Sequence, residues 1–83
     1  MRLAQSVSTL DTDDGTVLLH ERDGKFYQLN ATGSEVLSRL LAGERLPDVV
    51  SGIAERSGAV RETVHRDVTA LIDRLRGAGL VAP

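Results

Sequence analysis

The chain has no cysteine and no tryptophan, and its only aromatic side chains are the adjacent Phe26 and Tyr27. Without thiols there is no disulfide framework, no thiolate nucleophile and no Cys-ligated zinc. Histidine is nearly as scarce. His20 and His65 form no HxxxH or HExxH spacing, and no Asp/Asn-rich calcium loop occurs. A structural imidazole is the expected role of His20, and the Asp11, Asp13, Asp14 cluster is expected to be a solvated turn. The serines stand in no Gly-x-Ser-x-Gly frame, and no glycine-rich loop between strand and helix could cradle phosphate. No nucleophile, base or metal set can be assembled, so the expectation is a non-catalytic protein needing no metal and no cofactor. No apolar run approaches the length of a membrane span, and MRLAQSVS lacks a signal-peptide core, which predicts a soluble, cytoplasmic chain without membrane contact. A positive surplus is missing too: ten basic against twelve acidic residues leave a net charge of −2. Nucleic-acid binders of this size usually carry excess positive charge, because phosphate contacts supply most of their affinity.

What the chain has is enough for one core. Eighty-three residues predict a single domain over 1–83, and apolar residues at 41%, mostly Leu, Val and Ala, argue against disorder. Leu3, Val7 and Thr9 permit a short strand near Ala4–Leu10, and the turn cluster Asp11–Gly15 separates it from a second over Thr16–Glu21. Asp23-Gly24 is the pair favoured by a two-residue type I′ hairpin, which predicts that Arg22 faces Lys25, His20 faces Tyr27 and Leu18 faces Leu29. Leu18, Tyr27 and Leu29 then share the core face, with Val17, Leu19, Phe26 and Gln28 on the other.

Three helical segments follow. Thr32-Gly-Ser-Glu35 matches a capping box ahead of Val36, Leu37, Leu40 and Leu41. The second runs from about Pro47 to Ser57 and stops at Gly58. The third and longest, about Val60–Arg76, carries the stripe Val60, Val64, Val68, Leu71, Ile72 and Leu75, and Leu80-Val81 is expected to dock the terminus. A three-stranded antiparallel sheet followed by three helices is an α+β, winged helix-turn-helix-like domain.

A small sheet with a free edge beside a long helix is a recognition surface rather than an active site. Lys25–Leu29, as an edge strand, would offer unpaired amides and carbonyls to another chain; alternatively, Lys25 is a gatekeeper that blunts the edge. On the third helix, Glu62–Arg66 and Asp73–Arg76 have pairing distance, whereas Asp67 and Arg74 have no partner at helical spacing. Flanking Leu71, these two charges fit a polar rim around a peptide groove, or are simply solvated.

With these residues in view, the chain resembles the PqqD-like family of precursor-peptide recognition elements, which serve the biosynthesis of ribosomally made, post-translationally modified peptides. The resemblance rests on Gly15-x-Val17-Leu-Leu19, Gly24-Lys-Phe-Tyr-Gln-Leu-Asn30, Thr32-Gly33, Val64-x-x-Asp67-Val68, Leu71, Leu75 and Gly79-Leu80-Val81. It is most similar to the discrete recognition proteins of lasso-peptide pathways, since the quinone-cofactor branch tends to carry Pro-Glu-Gly where this chain has Glu21-Arg-Asp-Gly24. The resemblance implies that a leader peptide adds antiparallel to the third strand and lies against the third helix. Carried onto this chain, the peptide-binding residues are Lys25, Phe26, Tyr27, Gln28 and Leu29, with Val64, Asp67, Val68, Leu71, Arg74 and Leu75. On that basis Leu71→Asp is expected to abolish leader binding and Arg61→Ala to spare it. The implied partners are the precursor's leader, a leader-cleaving cysteine peptidase and an ATP-dependent lasso cyclase. The rival reading is a winged-helix DNA-binding regulator. Against it, Val60–Gly79 carries Arg61, Arg66, Arg74 and Arg76 against Glu62, Asp67 and Asp73, a poor surface for phosphate.

Overall fold

A computed structural model describes residues 1–82. Its elements are β1 (Arg2–Leu3), β2 (Val7–Thr12), β3 (Gly15–His20), β4 (Lys25–Asn30), α1 (Ala31–Leu41), α2 (Leu46–Ser57), α3 (Arg61–Gly77) and β5 (Val81–Ala82). β2, β3 and β4 form an antiparallel meander, while β1 pairs with β5 in a separate two-stranded ribbon. The expected three strands and three helices are present, with the first strand displaced to Val7–Thr12. The ribbon β1–β5 is an addition that pattern alone did not reveal, since two-residue strands carry no periodicity.

The β3–β4 hairpin departs from the expected register. His20 faces Lys25, Leu19 faces Phe26 and Leu18 faces Tyr27, so residues 21–24 form the link. Gly24 alone within that link has positive φ, at 69°, which excludes a type I′ turn centred on Asp23-Gly24. A two-residue turn would have set Arg22 against Lys25, two like charges directly opposite. The observed register instead pairs Leu18 with Tyr27 and Leu19 with Phe26, the aliphatic–aromatic combinations that stabilise cross-strand neighbours. The slip is two residues, a full side-chain period, so the faces are unchanged. Leu18 and Leu29 are buried and Tyr27 is half-buried, while Phe26 and Gln28 are exposed. His20 serves the turn: Nδ1 accepts from the Asp23 amide at 3.4 Å and lies 3.7 Å from the Asp23 carboxylate.

The cap of α1 also differs from expectation. Asn30, in extended backbone, places Oδ1 2.8 Å from the Gly33 amide, so the strand's last residue is the helix's N-cap. Thr32 lies inside the helix, and Glu35 turns outward to Arg39 (3.2 Å) and Arg56 (2.8 Å). No spacer therefore separates β4 from α1, and the helix start is held against the sheet edge. Gly15 is required by a cross-strand approach. At φ 151° it pairs with Asn30, and a Cβ there would stand 1.9 Å from the Leu29 carbonyl oxygen.

The helices cover one face of the sheet. Leu18, Val36, Val49, Val50 and Leu80 are its most completely buried side chains, joined by Leu29, Leu37, Leu40, Ile53 and the α3 stripe. Val60 departs from that stripe; it precedes the first turn of α3 and is 68% exposed. After α3, Gly79 at φ 71° reverses the chain, the Leu80 amide bonds to the Leu75 carbonyl at 2.9 Å, and Leu80 and Val81 enter the core.

Candidate functional site

The backbone of β4 determines what its free side can do. The Glu21 amide bonds the Ser6 carbonyl at 2.8 Å, so the pair 6/21 is a hydrogen-bonded one. In an antiparallel ladder such pairs alternate, making Ser8–Leu19 and Leu10–Val17 hydrogen-bonded in turn. Thr16, Leu18 and His20 then direct their amides and carbonyls to Leu29, Tyr27 and Lys25 of β4. The main-chain groups of Phe26 and Gln28, and the Asn30 amide, face outward. Among the described residues no strand pairs with that edge.

Beside it lies a groove of about 400 Å³, bounded by the end of β4, the first turn of α1 and one side of α3. Leu29, Val36, Val68 and Leu71, all buried, form its floor. Asp67 and Arg74 stand at its α3 side, two helical turns apart, and neither enters an ion pair among the described residues. The floor stays open because residue 33 is glycine: a Cβ there would meet Asn30 Oδ1 at 3.3 Å, Leu29 Cβ at 3.5 Å and Leu71 Cδ2 at 3.6 Å.

Of the residues singled out from the sequence, Gln28, Leu29, Asp67, Val68, Leu71 and Arg74 line this one groove. Lys25, Phe26 and Tyr27 continue along β4 beyond it, with Phe26 at 70% exposure. Val64 and Leu75 belong to the core and do not line the groove. Leu71, 7% exposed, belongs to both, so Leu71→Asp would bury a charge under α3 and unfold the protein as readily as it blocked a peptide. Asn30, Thr32, Gly33 and Val36 line the groove as well. Sequence reasoning assigned Thr32 and Gly33 to a helix start and did not connect that start with α3, which only the tertiary packing does. The expected intrahelical pairs Glu62–Arg66 and Asp73–Arg76 do not form; Arg61 instead reaches Ser51 Oγ (3.3 Å) and the Pro47 carbonyl (3.5 Å), tying α3 to α2.

An unpaired strand edge beside an apolar-floored groove with one charge of each sign is suited to an extended polypeptide: such an edge offers main-chain pairing and such a groove offers room for alternate side chains.

The family model described as coenzyme PQQ synthesis protein D (PqqD) matches residues 15–81. No curated protein matches the chain significantly. Two solved structures do. One, described as lasso peptide synthetase B1 complexed with the leader peptide, is 35% identical with a TM-score of 0.93, over 99% of this chain and 96% of that one. The other, TbiB1 in complex with the TbiA(beta) leader peptide, is 31% identical with a TM-score of 0.85, over 100% of this chain and 98% of that one.

Proposed function

The chain belongs to the PqqD family, and from that premise we propose that it binds the leader segment of a ribosomally made precursor peptide of the lasso class, without itself catalysing a reaction. The leader adds as an antiparallel strand to β4, and alternate side chains settle in the groove against α3. In this reading Lys25–Leu29 supply the edge, Val68 and Leu71 the apolar floor, and Asp67 and Arg74 the rim. Val64 and Leu75 act from beneath, holding α3 in place. The bound precursor is then presented to a leader-cleaving cysteine peptidase and an ATP-dependent cyclase. The observation that carries the reading is the outward-facing main chain of Phe26 and Gln28 beside the open floor at Gly33.

Magnitudes divide the labour. Four or five new main-chain hydrogen bonds, at about 1 kcal/mol each, contribute roughly 5 kcal/mol. Ordering five or six leader residues costs at least about 1 kcal/mol per residue and cancels that gain. Sub-micromolar affinity needs more than about 8 kcal/mol net. The surplus must come from two or three leader side chains buried on Leu29, Val36, Val68 and Leu71, at about 1.5–3 kcal/mol each. Rim charges add a smaller share and quicken association. Strand addition therefore sets direction and register, while the floor sets affinity.

The test is a titration with the leader of the precursor encoded beside this gene, followed by amide hydrogen exchange. Saturable binding with newly protected amides at Phe26 and Gln28 is expected. Binding that leaves those amides unprotected would overturn the assignment. The DNA-binding alternative predicts retention of random duplex at low salt with a steep salt slope, and no such retention is expected.

A further inference from the structure

The sheet has a second free edge, and we propose that β2, with the cleft beneath it, docks an extended segment of a partner protein in which basic side chains alternate with apolar ones. This inference stands on β2 alone and does not depend on what β4 binds.

β2 pairs with β3 without a bulge, from Val7 opposite His20 to Thr12 opposite Gly15. The alternation that turns Ser8 and Leu10 toward β3 turns the main-chain groups of Thr9 and Asp11 outward; the outward amide of Val7 is already bonded to the Ala4 carbonyl at 3.1 Å. Free edges are commonly blunted by charged side chains, above all Lys, or by Pro, a bulge or a covering element. VSTLDT has no Lys, no Pro and no bulge, residues 8–12 are exposed, and no described strand covers it. Its one charge, Asp11, is exposed and accepts from the Thr16 hydroxyl at 3.1 Å while that hydroxyl takes the proton of Ser34.

Charge and exposure specify the occupant. Beneath β2 a cleft of about 550 Å³ opens toward α1, and its charged lining is Asp11, Asp13 and Glu35 against Arg39. Arg39 is held by Glu35 (3.2 Å) and Glu44 (3.3 Å), which leaves Asp11 and Asp13 without a cationic partner among the described residues. On the opposite face of the strand Leu10 is 67% exposed beside half-buried Val17. An added strand sends alternate side chains to the two faces. One set hangs over the acidic cleft and must be basic; the other lies beside Leu10 and must be apolar. A second copy of this chain fits poorly, because pairing β2 with itself brings acidic clefts together on molecules of charge −2. The two edges lie on opposite sides of the sheet, so a partner on β2 leaves β4 free.

The probe is a synthetic peptide alternating Lys and Val, compared with its Glu/Val counterpart, titrated into the full chain by NMR. The Lys/Val peptide is expected to shift the amides of Thr9 and Asp11, slow their hydrogen exchange, and weaken with salt. The double variant Asp11→Asn, Asp13→Asn keeps the acceptor for Thr16, so it should fold normally by circular dichroism while losing roughly threefold to tenfold in affinity. Preloading with leader peptide should leave this binding unchanged. The proposal fails if neither peptide binds, if the Glu/Val peptide binds as well, if the shifts fall on Phe26 and Gln28 or the leader displaces the probe, or if β2 instead mediates self-association.

Discussion

Gln28→Pro separates use of the β4 edge from integrity of the strand. The Gln28 amide faces outward, bonds to nothing within the described fold, and belongs to an exposed residue on an edge strand. Proline is tolerated at such positions, so unfolding free energy should fall by no more than about 1 kcal/mol. Leader binding loses one main-chain bond, about 1 kcal/mol, and strands a leader carbonyl against a ring with no donor, about 1–3 kcal/mol more. The total of about 2–4 kcal/mol is a loss of roughly 30- to 900-fold in Kd, measurable by fluorescence polarisation of labelled leader. Tyr27→Pro is the control. Its amide faces Leu18, a fully buried residue, so proline there breaks the ladder in a chain whose whole stability should be about 4–12 kcal/mol. Urea unfolding should show Tyr27→Pro unfolded or nearly so and Gln28→Pro native. A native Gln28→Pro protein that binds leader with undiminished affinity would refute strand addition at β4.

Rim and floor should separate in the same way. Asp67→Asn and Arg74→Gln should each change leader affinity by less than about tenfold, with an effect that shrinks in high salt and stability within about 0.5 kcal/mol of the parent. Leu71→Ala should cost about 2–5 kcal/mol in urea unfolding, because the side chain is core as well as floor. Asn30→Ala should cost about 1 kcal/mol and Thr32→Ala almost nothing, the reverse of what a Thr32 capping box requires. Gly15→Ala should destabilise by more than about 3 kcal/mol, since the new methyl meets the Leu29 carbonyl, and the melting temperature will report it.

Helix positions were readable because their apolar spacing and stop signals are local: Gly58 at φ 74° ends α2 as its place in the sequence suggested. The two local errors have different causes. Asp23-Gly24 lost to longer-range cross-strand pairing, whereas Thr32-x-x-Glu35 lost to another local cap two residues earlier. The hairpin followed the Leu18–Tyr27 and Leu19–Phe26 cross-strand pairs, and the cap moved to Asn30, where β4 runs directly into α1. The candidate site was legible as two separate elements, a β-edge and a helix flank. It was not legible as one groove, nor was the third wall at Asn30–Val36.

The order of amino acids by itself determined the three helices, the two hairpin strands and their buried face, the lack of any thiol, and the near-neutral charge of α3, since each of these depends on residue type and short-range period alone. Tertiary structure decided the rest: that Val64 and Leu75 are sealed while Leu71 shares floor and core, that Gly33 leaves the groove open, and that β2 is a second bare edge above an acidic cleft. Those facts depend on which surfaces meet across the chain, and a one-dimensional period does not contain that distance.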